Sequence, residues 1–151
     1  MRNALPGDIP RLVELMAEFY AEAGYPLNRQ CAAEAFAALV ADDTLGQVWL
    51  IQAADKDVGY VVVTLGYSME YGGRDAFVDD LFIQAGFRGA GLGAATLAEV
   101  RTYCVERGVR ALHLEVGRDN AAAQAVYRRA GFVDTDRQLL TLRLADPTHI
   151  G

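Results

Sequence analysis

The sequence predicts a mixed α+β fold, with helices on both faces of one sheet, in a single domain over residues 1–151. Two segments with helical periodicity come first, β-rich segments joined by turns follow, and strands then alternate with helices. This order is typical of a mixed sheet that is covered on both faces. A length of 151 residues suits one domain with a core that needs no disulfides.

The first two helices are predicted from their caps and their apolar spacing. Asp8 can cap a helix over residues 9–24, and Pro10 is tolerated in its first turn. Asn28 can cap a second helix over residues 29–40. Both segments carry apolar residues at helical intervals, so each is expected to pack on the sheet.

The remaining elements follow from β-rich runs and glycine punctuation. A polar turn joins the first two β-rich runs into a hairpin, and Gly72-Gly73 mark the turn into a third strand. The predicted strands are 48–51, 58–65, 77–83, 111–116, 132–133 and 139–144, with helices at 91–107 and 120–130.

The charge balance excludes some partners. Lys plus Arg number 14 and Asp plus Glu number 20, which gives a formal net charge of −6. A nucleic-acid-binding domain needs a basic face to neutralise phosphates, so no nucleic acid is expected as a partner. An acidic protein suits cationic ligands instead.

The expected compartment is the cytoplasm. Cys31 and Cys104 lie far apart, outside any zinc or disulfide pattern, so a reducing environment and no metal are expected. Residues 1–10 lack the apolar region of a signal peptide, and no apolar run is long enough to span a membrane.

A glycine-rich segment joins a predicted strand to a predicted helix. Gly86 to Gly93 contain four glycines in eight residues, which permits positive φ angles and close backbone approach. The unpaired N–H groups of a helix N-terminus can hold an anion, and Arg88 adds a positive charge. A pyrophosphate is the natural ligand; a mobile connection is the alternative.

Two other chemistries compete with this interpretation. Gly89-x-Gly91-x-x-Ala94 also fits a dinucleotide fingerprint, with Glu115 as the ribose ligand. Five residues separate that motif from its strand, and only 36 residues follow Glu115, which is too few for the required series of βα units. A covalent cysteine route is also disfavoured, because no Cys-His set is suggested.

Two spaced motifs resemble the GNAT family of acyl-CoA-dependent N-acetyltransferases. They are Arg88-x-x-Gly91-x-Gly93 and Asn120-x-x-Ala123-x-x-x-Tyr127-x-x-x-Gly131-Phe132. The opening Arg2-x-Ala4-x-x-x-Asp8-Ile9-Pro10 is similar to that family's N-terminal segment, so the resemblance covers nearly the whole chain. It implies the GNAT fold, acetyl-CoA as the acyl donor, and direct transfer to an amine. Homodimers are also common in that family.

The resemblance implies a role for each motif. Tyr127 would protonate the departing thiolate, and Asp79 and Asp80 would bind or deprotonate the amine, as a Glu-Asp pair does in polyamine acetyltransferases. Alternation along a strand places Asp79 and Asp80 on opposite faces. The implied acetyl-CoA-binding residues are Leu81, Phe82, Ile83, Phe87, Arg88, Gly89, Ala90, Gly91, Leu92, Gly93 and Asn120.

The acceptor is expected to be a small cationic primary amine. Acidic and aromatic side chains hold ammonium groups well, and the resemblance places such residues around the acceptor cleft: Tyr20, Tyr25, Glu70 and Tyr71. A protein acetyltransferase and a non-catalytic acyl-CoA-binding module remain open as alternatives.

Overall fold

The computed structural model describes residues 1–145, in which a five-stranded sheet packs with four α-helices. The strands are β1 (Arg2–Asn3), β2 (Gly46–Ala53), β3 (Lys56–Ser68), β4 (Gly73–Ile83) and β5 (Ala111–His113). The helices are α1 (Ile9–Ala23), α2 (Arg29–Ala41), α3 (Leu92–Glu106) and α4 (Ala121–Arg129). No helix in this part of the chain is long and apolar enough to cross a membrane.

The sheet is mixed, as the order of sequence patterns predicts. Its strands lie in the order β1-β2-β3-β4-β5. β1 to β4 form an antiparallel meander, and β5 pairs parallel to β4 after the crossover through α3. This arrangement confirms the predicted mixed α+β class.

Each face of the sheet carries its own apolar core. On one face, α1 and α2 pack through Leu12 and Phe36 onto Tyr60. On the other, α3 packs through Val100 onto Val61, with α4 alongside. Successive residues of β3 therefore contribute to opposite cores, as the alternation of a buried strand requires.

The first strand is short but firmly attached. Arg2 and Asn3 pair with Leu50 and Trp49. The guanidinium of Arg2 donates two hydrogen bonds of 2.9 Å to Asp8, just before α1, and one of 3.3 Å to Asp57, just after the β2–β3 turn. This ion-pair network ties β1, α1 and the hairpin together.

The expected strands at 132–133 and 139–144 are wrong, and the strand expected over 111–116 is shorter. β5 ends at His113, and residues 132–145 form no strand. A strand needs a paired neighbour to satisfy its backbone groups. Within residues 1–145 the C-terminal segment has no such neighbour, although its sequence alternates as a strand should.

The Arg2–Asp8 contact predicts a pH-dependent contribution to stability. The hydrogen bonds from Arg2 lower the pKa of Asp8 below its ordinary value. A carboxylate with a lowered pKa in the folded state stabilises the protein above its unfolded-state pKa, and this contribution disappears as the pH falls through the folded-state value.

Asp8→Asn should therefore lower the free energy of unfolding by about 1–2 kcal/mol at neutral pH, since charge-assisted hydrogen bonds are lost. Urea denaturation of both proteins should show this difference shrinking as the pH falls through the lowered pKa of Asp8, because the wild-type carboxylate then becomes protonated. A difference that does not change with pH would contradict the role given to the carboxylate.

Candidate active site

An extra residue in β4 brings two acidic side chains to the same place. Val62 in β3 lies opposite Asp80, but Val63 lies opposite Val78, so Asp79 is an additional residue in β4. Such a bulge interrupts the alternation of side chains between the two faces of the sheet. The expectation that Asp79 and Asp80 lie on opposite faces is therefore wrong, because both line one cavity.

The cavity that contains the two aspartates is acidic and aromatic. It has a volume of about 280 Å³. Its walls come from α1, from β4 and from the segment after β5, and its lining residues are Tyr20, Phe77, Val78, Asp79, Asp80 and Glu115. Three carboxylates and two aromatic rings around one small volume favour a cationic ligand.

Asp80 has the environment of a proton acceptor that works near neutral pH. Burial raises its pKa to about 7, and the negative charge of Asp79 acts in the same direction. The Tyr60 hydroxyl donates a 2.9 Å hydrogen bond to Oδ2 of Asp80, which opposes that rise by stabilising the carboxylate. Burial also raises the pKa of Asp79.

Tyr20 is held as a neutral phenol beside these carboxylates. Its burial and the charges of Asp80 and Asp79 raise its pKa to about 12. A neutral phenol offers one donor and an aromatic face, both of which suit the walls of an amine site.

Next to the cavity, β4 has an open backbone edge. β4 and β5 pair only from Asp75 with Ala111 to Phe77 with His113, so β4 continues without that neighbour. The Gln84 N–H donates to the Val58 carbonyl. Because groups alternate along an antiparallel pair, the backbone of Leu81 and Ile83 turns towards the open edge and that of Phe82 turns towards β3. The open edge could hold an extended ligand.

The glycine-rich segment forms the predicted turn at the start of α3. Gly89 and Gly91 have φ angles of +81° and +83°, values that residues other than glycine rarely adopt. Gly91 is the N-cap of α3, and no side chain caps this helix end. Its first N–H groups, from Leu92 onward, therefore lack helical partners and can bind an anion such as a pyrophosphate. Phe87 and Ala90 lie in the same turn.

Arg88 reaches back from the glycine-rich turn to α1. Its Nη2 donates hydrogen bonds of 2.8 and 2.9 Å to the carboxylate of Glu22, and its Nε donates at 2.7 Å to the Ile83 carbonyl. The guanidinium also lies over the Phe82 ring. The sequence predicts a phosphate contact for Arg88, whereas here this side chain links the glycine-rich turn to the helix that carries Tyr20.

The second motif sits on α4, beside the start of α3. The side chain of Asn120 caps α4 by accepting from Ala123 N–H at 3.2 Å. This leaves the amide nitrogen of Asn120 as its donor to a ligand. Tyr127 is partly buried in the core beneath α3, where it packs edge-on against Phe132. Burial raises the pKa of Tyr127, so its phenol stays protonated at neutral pH.

The other predicted acceptor residues divide into two groups. Tyr25 is largely exposed and packs against Tyr20, so it lies near the cavity. Glu70 and Tyr71 lie in the β3–β4 turn, and neither lines the cavity. The Glu70 carboxylate is already paired with Arg137. Tyr71 packs against His113.

Comparison with known proteins identifies the family of this chain. The sequence model of the family described as "Acetyltransferase (GNAT) family" matches residues 10–132. The chain belongs to the GNAT family. It is an acetyl-CoA-dependent N-acetyltransferase, as the two motifs indicate.

Relatives of this acetyltransferase cover most of its length. An aminoglycoside N(6')-acetyltransferase type 1 from Stenotrophomonas maltophilia is 28% identical over 91% of this chain and 88% of its own. Integron cassette protein HFX_CASS3, from the mobile metagenome of Cole Harbour Salt Marsh, is 49% identical over 98% of this chain and 92% of its own, with a TM-score of 0.88. A predicted acetyltransferase from Clostridium acetobutylicum, solved with acetyl-CoA, shares the fold at 21% identity, with a TM-score of 0.79 and coverage of 95% and 94%.

Sequence reasoning missed several residues around the acetyltransferase cavity. The sequence indicates Glu115 only as a ribose ligand in the dinucleotide interpretation, yet it lines the cavity together with Asp79 and Asp80. Tyr60 falls within the predicted strand 58–65, and its hydrogen bond to Asp80 depends on the strand register. Neither contact leaves a local signal in the sequence.

The contact between Tyr60 and Asp80 gives a direct prediction. Tyr60→Phe removes the donor that stabilises the Asp80 carboxylate, so the pKa of Asp80 should rise further above about 7. Carbon-detected NMR of the aspartate carboxyl groups as a function of pH would measure this shift.

Tyr103 offers a matched control for this acetyltransferase variant, because its buried hydroxyl has no hydrogen-bond partner among the described residues. Tyr103→Phe should leave the Asp80 titration unchanged. An Asp80 titration that is equally insensitive to Tyr60→Phe would show that the Tyr60 hydrogen bond does not set this pKa.

Proposed function

We propose that this acetyltransferase transfers an acetyl group from acetyl-CoA to the primary amine of a small cationic acceptor, by direct transfer in a ternary complex. The observation that carries the proposal is the meeting of the acidic cavity and the open edge of β4 at Asp79 and Asp80. The acceptor and the acyl donor would then reach the same point from two sides.

We propose the cytoplasm as the compartment, because Cys31 and Cys104 are both free thiols.

The acyl donor would lie along the open edge of β4. When bound, acetyl-CoA supplies an activated thioester. The Leu81 N–H faces this edge and is the group we propose for polarising the acetyl carbonyl. The turn from Phe87 to Gly93 would hold the pyrophosphate with backbone N–H groups. The amide nitrogen of Asn120 would contact the pantetheine arm.

Asp80 is the proposed base that prepares the amine. A primary ammonium is not nucleophilic until it loses a proton, and a carboxylate with a pKa of about 7 can accept that proton near neutral pH. Asp79 and Glu115 would attract the cationic acceptor and hold it beside Asp80. Tyr20 would form the aromatic wall, with Tyr25 beyond it.

Tyr127 is the proposed acid at the end of the reaction. Its raised pKa keeps the phenol protonated, as a proton donor must be. A thiol has a pKa of about 8.5, so its thiolate is already a good leaving group. A weak acid such as a phenol, with a pKa of about 10, would therefore be sufficient if it is held beside the departing sulfur.

The role of Asp80 can be tested by substitution and pH. In the wild type, kcat/KM should fall as the pH drops below about 7, because protonated Asp80 cannot act as a base. Asp80→Asn should lower kcat by about 10²–10⁴-fold, the range for loss of a general base, and should abolish this pH limb. Stopped-flow or steady-state detection of free thiol would measure both effects.

Asp79→Asn is the matched control for Asp80→Asn, because it removes the neighbouring carboxylate of the same cavity. It should raise KM for the amine while keeping the acid limb of the pH profile. Retention of that limb in Asp80→Asn, or its loss only in Asp79→Asn, would transfer the role of base away from Asp80.

A panel of acceptors tests the proposed substrate class. With acetyl-CoA present, kcat/KM for the release of free thiol should be at least about tenfold higher with diamines, polyamines or amino sugars than with neutral amines of similar size. Reaction with neutral or acidic acceptors alone would contradict the cationic class. Reaction with peptides alone would indicate a protein acetyltransferase, and no reaction despite acetyl-CoA binding would indicate a non-catalytic module.

A further inference from the structure

The side chain of Arg88 occupies the far end of the open β4 edge. In this part of the antiparallel ladder the backbone of Ile83 turns away from β3, so its carbonyl belongs to the open edge. Nε of Arg88 donates a 2.7 Å hydrogen bond to this carbonyl. An extended ligand that pairs with the backbone of β4 as far as Ile83 therefore has to displace the Arg88 side chain.

Glu22, near the end of α1, holds the Arg88 guanidinium in this position. Both oxygens of the Glu22 carboxylate accept hydrogen bonds from Nη2 of Arg88, at 2.8 and 2.9 Å. The guanidinium carbon of Arg88 lies 5.6 Å from the centre of the Phe82 ring. These contacts fix one planar cation between the end of β4 and the end of α1.

The ion pair between Glu22 and Arg88 is one that a competing anion can break. The two side chains are 47% and 45% exposed, and an exposed ion pair contributes little net free energy. Glu22 also lies in the last turn of α1, where the negative end of the helix dipole disfavours a carboxylate. A cleft of about 530 Å³ borders Glu22, so dense packing does not hold this carboxylate in place.

We propose that Glu22 is a positioning residue that competes with the acyl donor for Arg88. This role rests on the proposed function, which places the pantetheine arm along the open edge and the pyrophosphate at the glycine-rich turn. While Arg88 is paired with Glu22, the guanidinium covers the Ile83 carbonyl and its charge is balanced by a carboxylate. Once released, the guanidinium frees the edge and offers its charge to phosphate groups at the turn that carries it. The carboxylate of Glu22 thus lowers donor affinity.

Calorimetric titration with coenzyme A tests this competition. Glu22→Gln keeps the size of the side chain and removes its charge, so coenzyme A should bind about three- to fivefold tighter than to the wild type, a gain within the range of one exposed ion pair. Glu18→Gln is the matched control, because Glu18 lies one turn earlier on α1 and accepts hydrogen bonds from Gln84 instead of Arg88. Its affinity for coenzyme A should match that of the wild type.

An Arg88→Ala background separates the competition from simple charge repulsion. Without the guanidinium, Glu22→Gln should leave the affinity for coenzyme A unchanged, because the two residues act through one contact. An equal gain in both backgrounds would overturn the proposal, since Glu22 would then act on the phosphates directly. Weaker binding by Glu22→Gln alone would also overturn it, because Glu22 would then hold Arg88 in its binding position.

Amide NMR signals distinguish a failure of this role from a failure of the proposed donor site. Addition of coenzyme A to the wild type should shift the backbone amide signals of Leu81 and Ile83, which face the open edge. Shifted signals without an affinity gain in Glu22→Gln would overturn only the role of Glu22. Signals that stay in place while coenzyme A binds would contradict the donor site and the competition together.

Discussion

β4 cannot complete its backbone pairing on both edges, and the architecture of the site depends on this constraint. β3 pairs with it from end to end, whereas β5 pairs with only Asp75 to Phe77. β5 ends at His113, opposite Phe77, so β4 continues beyond this point without that neighbour, and there the bulge at Asp79 interrupts the alternation of side chains. One short stretch of one strand thus supplies an open backbone edge for a donor and two carboxylates for an acceptor.

The electrostatics of the two halves of the site are opposed. Coenzyme A is polyanionic and the chain has a net charge of −6, so donor binding must rely on local groups rather than on the overall field. The uncapped start of α3 provides such groups, with the left-handed glycines 89 and 91 shaping the turn. The Arg88 guanidinium is already hydrogen-bonded to Glu22 on α1. This contact connects the glycine-rich turn to the helix that carries Tyr20.

The sequence was sufficient for features that depend on local pattern. Helix caps such as Asn28, the glycine turn before α3 and the buried runs of β2 and β3 are all encoded within a few residues. Register was not. A single extra residue at Asp79 moves a carboxylate into a cavity, and no local signal distinguishes a bulge from a regular strand. The positions of Glu115 at the cavity and of Tyr60 beside Asp80 likewise depend on tertiary packing, which local sequence patterns do not specify.

The C-terminal segment shows the converse. Its alternating leucines predicted a strand, and the pattern is real, but pairing requires an edge that the described chain does not place beside it. Patterning specifies which face must be buried, not what buries it. The resemblance likewise implies an acceptor role for the Glu70 carboxylate, but that carboxylate is paired with Arg137 in the folded chain.

A crystal structure with coenzyme A and a reactive amine would test the central claim most directly. It should show the acceptor nitrogen within about 3 Å of an Asp80 carboxylate oxygen. Asp79 should lie on the same wall, and the pantetheine arm should lie along the open edge beside Leu81. An amine bound outside this cavity, or Asp79 and Asp80 on opposite faces of β4, would contradict it.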